Sequence, residues 1–123
     1  MILLRRETST HLELIGAHES FDQLASMMRE GLDTDVASMR FLVASIREAT
    51  DEPQPAFLRI KFGDHPVRCK DLGNSLLIKG NMAELLEFCL GLEFSPTSKP
   101  GEAHSLMDGS QAAGGLSVTA VLQ

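Results

Sequence analysis

The sequence contains no tryptophan and no tyrosine, and its aromatic content is only 5%. This scarcity argues against a nucleic-acid-binding surface built on base stacking. The two cysteines, Cys69 and Cys89, lie in apolar, regularly patterned segments, which predicts buried, reduced thiols. A domain of 123 residues buries roughly two-thirds of its unfolded surface, so it needs neither a disulfide nor a metal to fold.

The chain also lacks a hydrophobic run of the roughly 20 residues that a membrane-spanning helix requires. Its N-terminus, MILLRRETST, reaches two arginines soon after Met1 and has neither the apolar stretch nor the cleavage site of a secretory signal. We therefore expect a cytoplasmic protein without a membrane partner.

Acidic residues outnumber basic ones by 17 to 11, and the formal net charge is -6 at pH 7. Proteins that bind nucleic acid without sequence preference need a basic surface, so this balance predicts no nucleic-acid partner. A negative charge favours solubility and would also suit a basic protein partner.

No motif for catalysis, cofactor binding or metal coordination occurs in the chain. The four histidines form no HxH or HExxH spacing, the cysteines form no CxxC, and the glycines fit no phosphate-binding loop. Arg68 and Lys70 flank Cys69, but neighbouring side chains of a strand point to opposite faces, so they would not activate its thiol. We predict that the protein is not an enzyme and has no catalytic residue, no cofactor and no metal site.

Capping residues predict two helices. Ser20 with Gln23 forms a capping box, apolar residues follow at helical spacing, and Gly31 is the expected C-cap. Asn81 with Glu84 repeats this capping box at the start of an apolar helix predicted over residues 82–94.

Alternating apolar segments predict strands around these helices. In residues 57–62, Phe57, Arg59 and Lys61 face one side and the residues between them face the other. Residues 36–48 fit either a helix or a strand buried on both faces, and their β-branched content favours the strand. The predicted core comprises Leu14, Phe21, Leu24, Met28, Phe41, Ile60, Cys69, Leu77, Leu85, Phe88, Cys89, Leu92 and Val118.

These elements predict a single α+β domain over residues 1–123, a mostly antiparallel sheet of about six or seven strands with two helices on one face. The matching helices further indicate two β-β-α-β half-repeats, roughly Met1–Glu48 and Ala56–Gln123. The alternative is that any two amphipathic helices resemble each other.

The candidate partner-binding residues are Glu84, Glu87, Asp51 and Glu52. Glu84 and Glu87 share the polar stripe of the second helix, whose broad apolar remainder needs cover from another helix or another chain. Asp51 and Glu52 belong to a group of acidic loop residues that could steer a basic partner, although scattered solvated charges are the alternative. The group consists of Asp33, Asp35, Glu48, Asp51 and Glu52.

The C-terminal half has a recognisable order of segments: a short β-meander, SLLIKGNMAELLEFCLGL, GEAHSLMDGS and LSVTAVLQ. From Phe57 to Leu122 it resembles the small immunity proteins of bacterial polymorphic toxin systems, in particular the Imm32-like group. The matching positions are Gly80, Asn81, Leu85, Leu86, Leu92, His104 and Asp108. The resemblance implies a cytoplasmic protein that inhibits a cognate toxin by stoichiometric binding, without catalysis.

The expected function is therefore that of a non-catalytic interaction protein, an immunity or antitoxin-like inhibitor that binds and neutralises a bacterial toxin. A basic toxin would match the net charge. The alternative is a homodimeric structural or assembly subunit, in which the apolar second helix packs on its twin. An enzyme or small-ligand binder would need converging polar groups, and the sequence indicates none.

Overall fold

The structure, a computed structural model, describes residues 1–34, 38–48, 52–109 and 115–123. Within these ranges the chain forms eight strands and two helices. In chain order they are β1 (Leu3–Arg6), β2 (His11–Gly16), α1 (His18–Asp33), β3 (Ser38–Ile46), β4 (Gln54–Phe62), β5 (Arg68–Asp71), β6 (Ser75–Gly80), α2 (Met82–Gly91), β7 (Ala103–Met107) and β8 (Ser117–Leu122). The strand prediction for residues 36–48 is confirmed over the described part of that segment.

The described strands form one sheet in the order β5-β6-β4-β3-β1-β2-β8-β7. Four antiparallel pairs, β1·β2, β3·β4, β5·β6 and β7·β8, connect strands that follow each other along the chain. Parallel pairs β1·β3, β2·β8 and β4·β6 join these four units to one another. The α+β class is confirmed. The sheet, however, is mixed and has eight described strands, where a mostly antiparallel sheet of six or seven was predicted. The prediction missed this because local turn signals do not determine how separate strand pairs align.

The two halves of the chain repeat one arrangement, two strands, a helix and two strands, over residues 3–62 and 68–122. β2 pairs with β8 from His11 and Ser117 onward, and β6 pairs with β4 from Ser75 and Phe57 onward, each along six residues. The boundary between the halves therefore falls after β4, and each half has four strands. The predicted boundary near residues 49–55 was wrong because β4 pairs with β3.

Side chains of one sheet face form the hydrophobic core beneath the two helices. Leu4, Leu14, Leu58 and Ile78 are fully buried there. Most of the predicted core is confirmed, with Phe41 and Cys69 partly buried against it. Leu77 is only half-buried, because its neighbours Leu76 and Ile78 take the inward positions of β6.

The two helices touch each other through positions that are equivalent in the two halves. The Cys89 thiol donates to the Ala25 carbonyl at 3.2 Å, and Arg29 Nη2 donates at 2.6 Å to Oε1 of Glu93, which lies two residues past the end of α2. Both contacts join residues with the same separation in sequence, so the helices run in the same direction where they meet. Helix α1 therefore covers part of the apolar surface of α2, for which no neighbour could be predicted from the sequence.

The boundaries of both helices differ from those predicted. α1 begins at His18 after Ala17, whose side chain makes no capping hydrogen bond, so the predicted start at Ser20 is wrong. Gly31 lies inside α1 and is no C-cap; a Cβ there would come within 2.1 Å of Met39 Sδ on β3. α2 ends at Gly91, several residues before the predicted end.

Phe94, the last residue of the predicted second helix, lies beyond α2 and is buried. Its ring stacks on His104 with the centroids 4.2 Å apart and also packs on Phe21 at 5.3 Å. Leu90 is different, since 58% of it remains exposed. Cover for the far side of α2 therefore comes mainly from α1, Phe94 and β7, with Leu90 left at the surface.

Candidate functional site

Glu84, a predicted partner-binding residue, is engaged inside the domain. Its backbone N–H donates to Asn81 Oδ1 at 2.9 Å, and Asn81 Nδ2 donates to Glu84 Oε2 at 2.7 Å. The Val67 N–H donates to the same carboxylate oxygen at 3.3 Å. The predicted capping pair is thus confirmed, and the half-buried carboxylate also ties α2 to the start of β5.

The structure places the other predicted partner-binding residues in different parts of the surface. Glu87 is exposed on α2 and lines, with Glu84, a cavity of about 210 Å³. Glu52 precedes β4 and lines a separate cavity of about 430 Å³ beside Arg6. Asp51, with Asp35, lies outside the described residues. Glu52 therefore does not share a cavity with Glu84 and Glu87.

Both cysteines are free thiols; Cys89 is buried and Cys69 is partly buried. Burial raises the pKa of Cys69 to about 12, so this thiol stays protonated at neutral pH and is a poor nucleophile. Burial also raises the pKa of Cys89. No group of three or more His, Cys, Asp or Glu side chains in the described ranges is placed to hold a metal ion.

A different surface brings several cations together. Strands β3, β4, β6 and β5 are neighbours in the sheet, and their inward residues form the core. Because successive side chains alternate between faces, the intervening residues point outward. We call this outward surface the basic face; it comprises Arg40, Leu42, Phe57, Arg59, Lys61, Arg68, Lys70, Leu77 and Lys79.

Strand register aligns the cations of the basic face into rows. Lys61 lies opposite Lys79, which lies opposite Arg68 on the next strand. Arg40 lies opposite Arg59 in the adjacent row. Neighbouring strands are about 4.8 Å apart, and like charges placed directly opposite each other destabilise a sheet.

No acidic side chain offsets this charge within the basic face. None of the four ion pairs of the described residues includes a cation of this surface. These four strands have one carboxylate, that of Asp71. It forms its ion pair with Arg6 of β1 and not with a cation of the basic face. The hydrogen bond from Arg6 lowers the pKa of Asp71, so this carboxylate is ionised and already occupied.

Apolar side chains lie among the cations of the basic face. Leu42 is 55% exposed and lies opposite Phe57, while Leu77 lies between Arg59 and Lys70 in the next row. The Arg40 guanidinium carbon lies 4.6 Å from the centroid of the Phe57 ring. The surface can therefore offer both positive charge and apolar contact to a partner.

Only one strand of the basic face could be predicted from the sequence. The alternation of Phe57, Arg59 and Lys61 predicted one basic strand face correctly. The neighbouring cations come from three other strands, and their alignment depends on the parallel pair β4·β6, for which no local sequence signal exists.

No family model matches the chain, and neither the curated proteins nor the solved structures contain a match. Neither α1 nor α2, the helices of the described ranges, combines the length and apolarity needed to cross a membrane.

Proposed function

We propose that this chain is a non-catalytic binding protein that acts by occupying a protein partner through the basic face. The observation that carries the proposal is the alignment of cations across β3, β4, β6 and β5, none of which takes part in the ion pairs found among the described residues. A fold stabilised by its core alone has no need for this arrangement, which costs stability. A partner of opposite charge would explain why the cations are aligned.

The proposed role is neutralisation of a toxin in the cytoplasm, as in an immunity or antitoxin-like inhibitor. The order of segments in the C-terminal half supports this role through its resemblance to immunity proteins. Inhibition by occlusion requires a stable surface with strong complementarity and no reacting group. The partner contact, however, is basic on this chain, so a toxin would present an acidic region even if its overall charge were basic.

Co-purification with the product of the neighbouring gene tests this function. We expect a stoichiometric complex when the two proteins are produced together, and loss of the neighbour's toxicity when this chain is present. An adjacent metabolic enzyme with no complex between the products would contradict the proposal. Production of the neighbour with an unrelated acidic domain provides the control for nonspecific rescue.

A homodimeric assembly subunit is the second candidate. Leu90, Met27 and Met82, on the two helices, are 58%, 43% and 38% exposed, and apolar side chains on a helix layer favour contact with a second copy. Light scattering at micromolar concentration distinguishes the candidates, since a monomer contradicts the dimer. Leu90→Ser should convert a dimer of this kind to monomers.

A further inference from the structure

We infer that the basic face recognises an acidic surface of a folded protein with an apolar centre, and not a nucleic-acid backbone. This inference rests on the proposed function and specifies the chemistry of its partner. The arrangement of charges, the apolar side chains between them and the charge on the remainder of the chain each support it.

The opposed cations indicate a partner of opposite charge. Lys79 has Lys61 on one side and Arg68 on the other in the same row. Carboxylates of a partner placed over this row would convert repulsion into charge-assisted hydrogen bonds. Arg40 and Arg59 offer two planar guanidinium groups for bidentate contacts with carboxylates in the next row.

The apolar side chains favour a protein over a phosphate chain. Leu42 and Leu77 have no polar atom to offer to a phosphate, whereas protein interfaces combine apolar centres with arginine and a charged rim. Phe57 is the one aromatic outward residue of these four strands, and Arg40 already lies over its ring. Single-stranded nucleic acids are bound on several aromatic platforms, and this face does not supply them.

The remainder of the chain would repel a long polyanion. The net charge is -6 although six cations gather on this face, and none of the 17 acidic residues takes an outward position on its strands. A nucleic acid extends beyond a four-stranded patch and would meet this acidic surface. A compact acidic patch on a protein can match the basic face without doing so.

Fluorescence anisotropy with two labelled probes tests the inference. One probe is a soluble peptide of repeated Glu-Glu-Leu triplets, and the other is an oligothymidylate with the same number of negative charges. We expect the peptide to bind at least about tenfold more tightly in physiological salt. Tighter binding of the oligothymidylate, or no peptide binding at any attainable concentration, overturns the inference.

Lys79→Glu is the informative variant because it affects binding and stability in opposite directions. It should weaken peptide binding about tenfold or more, yet raise the unfolding temperature by about 2 °C, since a carboxylate would then lie between two cations. The double variant Ala103→Glu/Ser105→Glu changes the net charge equally on the outward side of exposed β7 and should leave peptide binding within about twofold. Equal weakening by both would show general charge repulsion and overturn the inference.

Leu42→Ser removes the exposed apolar group and no charge. It should weaken binding of the triplet peptide about threefold and leave binding of plain polyglutamate unchanged. Equal effects on both peptides would contradict an apolar centre. Self-association of this chain that Lys79→Glu abolishes would assign the basic face to a second copy and overturn the inference.

The complex with the neighbouring gene product separates this inference from the proposed function. A stable complex that Lys79→Glu leaves intact contradicts the basic face as the contact while retaining the inhibitor function. Absence of any complex, together with peptide binding that Lys79→Glu weakens, contradicts the inhibitor function while retaining the chemistry of the face.

Discussion

The two halves of the chain share a topology and a core but differ on the outward face of the sheet. Arg59 and Lys79 of the basic face correspond to Thr119 and Ile15 on strands β8 and β2, as the register of the two parallel pairs shows. Leu3, Ile15 and Val121 form an apolar row where the basic face has a row of cations.

The charges on the outward side of β1, β2 and β8 are also arranged differently. Arg5 on β1 pairs with Glu13 on β2, directly opposite in the register, and His11 hydrogen-bonds Thr119 at 3.0 Å. Five of the six cations on the basic face lie opposite another cation. Since the same backbone arrangement accommodates both surfaces, the accumulated charge is not a requirement of the fold, and this difference supports the basic face as the proposed partner contact.

The largest expected difference between the halves concerns two equivalent glycines. A Cβ on Gly80, at the end of β6, would lie 2.5 Å from the Val67 Cα and 2.8 Å from its backbone nitrogen. At Gly16, the end of β2, the close atom is Ile2 Cδ1 at 2.6 Å, the tip of a side chain that can rotate. Gly80→Ala should destabilise by about 3 kcal/mol and Gly16→Ala by about 1 kcal/mol.

Chemical denaturation of the two variants measures this difference. Each remains one substitution from wild type, so the pair controls for the general effect of removing a glycine. Equal losses of stability would mean that the backbone at Val67 moves as easily as the Ile2 side chain. The two halves would then tolerate an added Cβ equally well at these positions.

The second largest effect concerns the contact that joins the halves across the sheet. Arg6, the last residue of β1, donates from Nε to Asp71 Oδ2 at 2.7 Å, and Asp71 is the last residue of β5. Three strands separate β1 from β5 in the sheet order, so this contact shows that the sheet curls. Asp71→Asn should cost about 1.5 kcal/mol, since it weakens hydrogen bonds to a largely buried guanidinium.

The pH dependence of stability gives this prediction a sign. Because the pKa of Asp71 is lowered in the fold, its contribution is complete above the ordinary Asp pKa of about 3.9 and is lost as the pH falls below that value toward the folded pKa. Wild type and Asp71→Asn should differ at pH 7 and converge in acid. Asp64→Asn, at an exposed turn, removes the same charge and should be nearly neutral.

Sequence patterns predicted the elements of this fold better than their arrangement. Period-two alternation located the strands, and the Asn81–Glu84 cap located α2, because both signals are local. Parallel pairs such as β2·β8 join segments more than a hundred residues apart, and no local signal encodes them. The mixed character of the sheet follows from these parallel pairs.

The candidate site was harder to predict than the fold for a related reason. The net charge of -6 suggested acidic loops as the contact and argued against a basic surface. A net charge does not show that the basic residues are gathered on one face. Ser20 and Gln23 likewise formed a convincing capping box that α1 does not use. A cap is worth about 1 kcal/mol, but α1 begins two residues earlier, at His18, so Ser20 lies in its first turn.

The helix starts provide the third prediction. Ala17 and Asn81 are equivalent N-caps with nearly the same backbone angles, φ -77° and ψ 164° against φ -72° and ψ 161°, but Asn81 alone uses its side chain. Asn81→Ala should cost about 1 kcal/mol, and Ala17→Asn should add about 0.5 kcal/mol. Thermal unfolding measures both; a loss of stability in Ala17→Asn would show that the first turn of α1 has no room for a cap.

The smallest effect is expected where the two helices meet at the surface. Arg29 and Glu93 occupy equivalent positions and form an ion pair at 2.6 Å, but their side chains are 44% and 41% exposed. Water and salt screen such pairs, so a double-mutant cycle with Arg29→Ala and Glu93→Ala should give a coupling of about 0.5 kcal/mol or less, decreasing in high salt. A salt-independent coupling above about 1 kcal/mol would contradict this expectation. The halves would then depend on charge as well as on the contact between Ala25 and Cys89 to stay together.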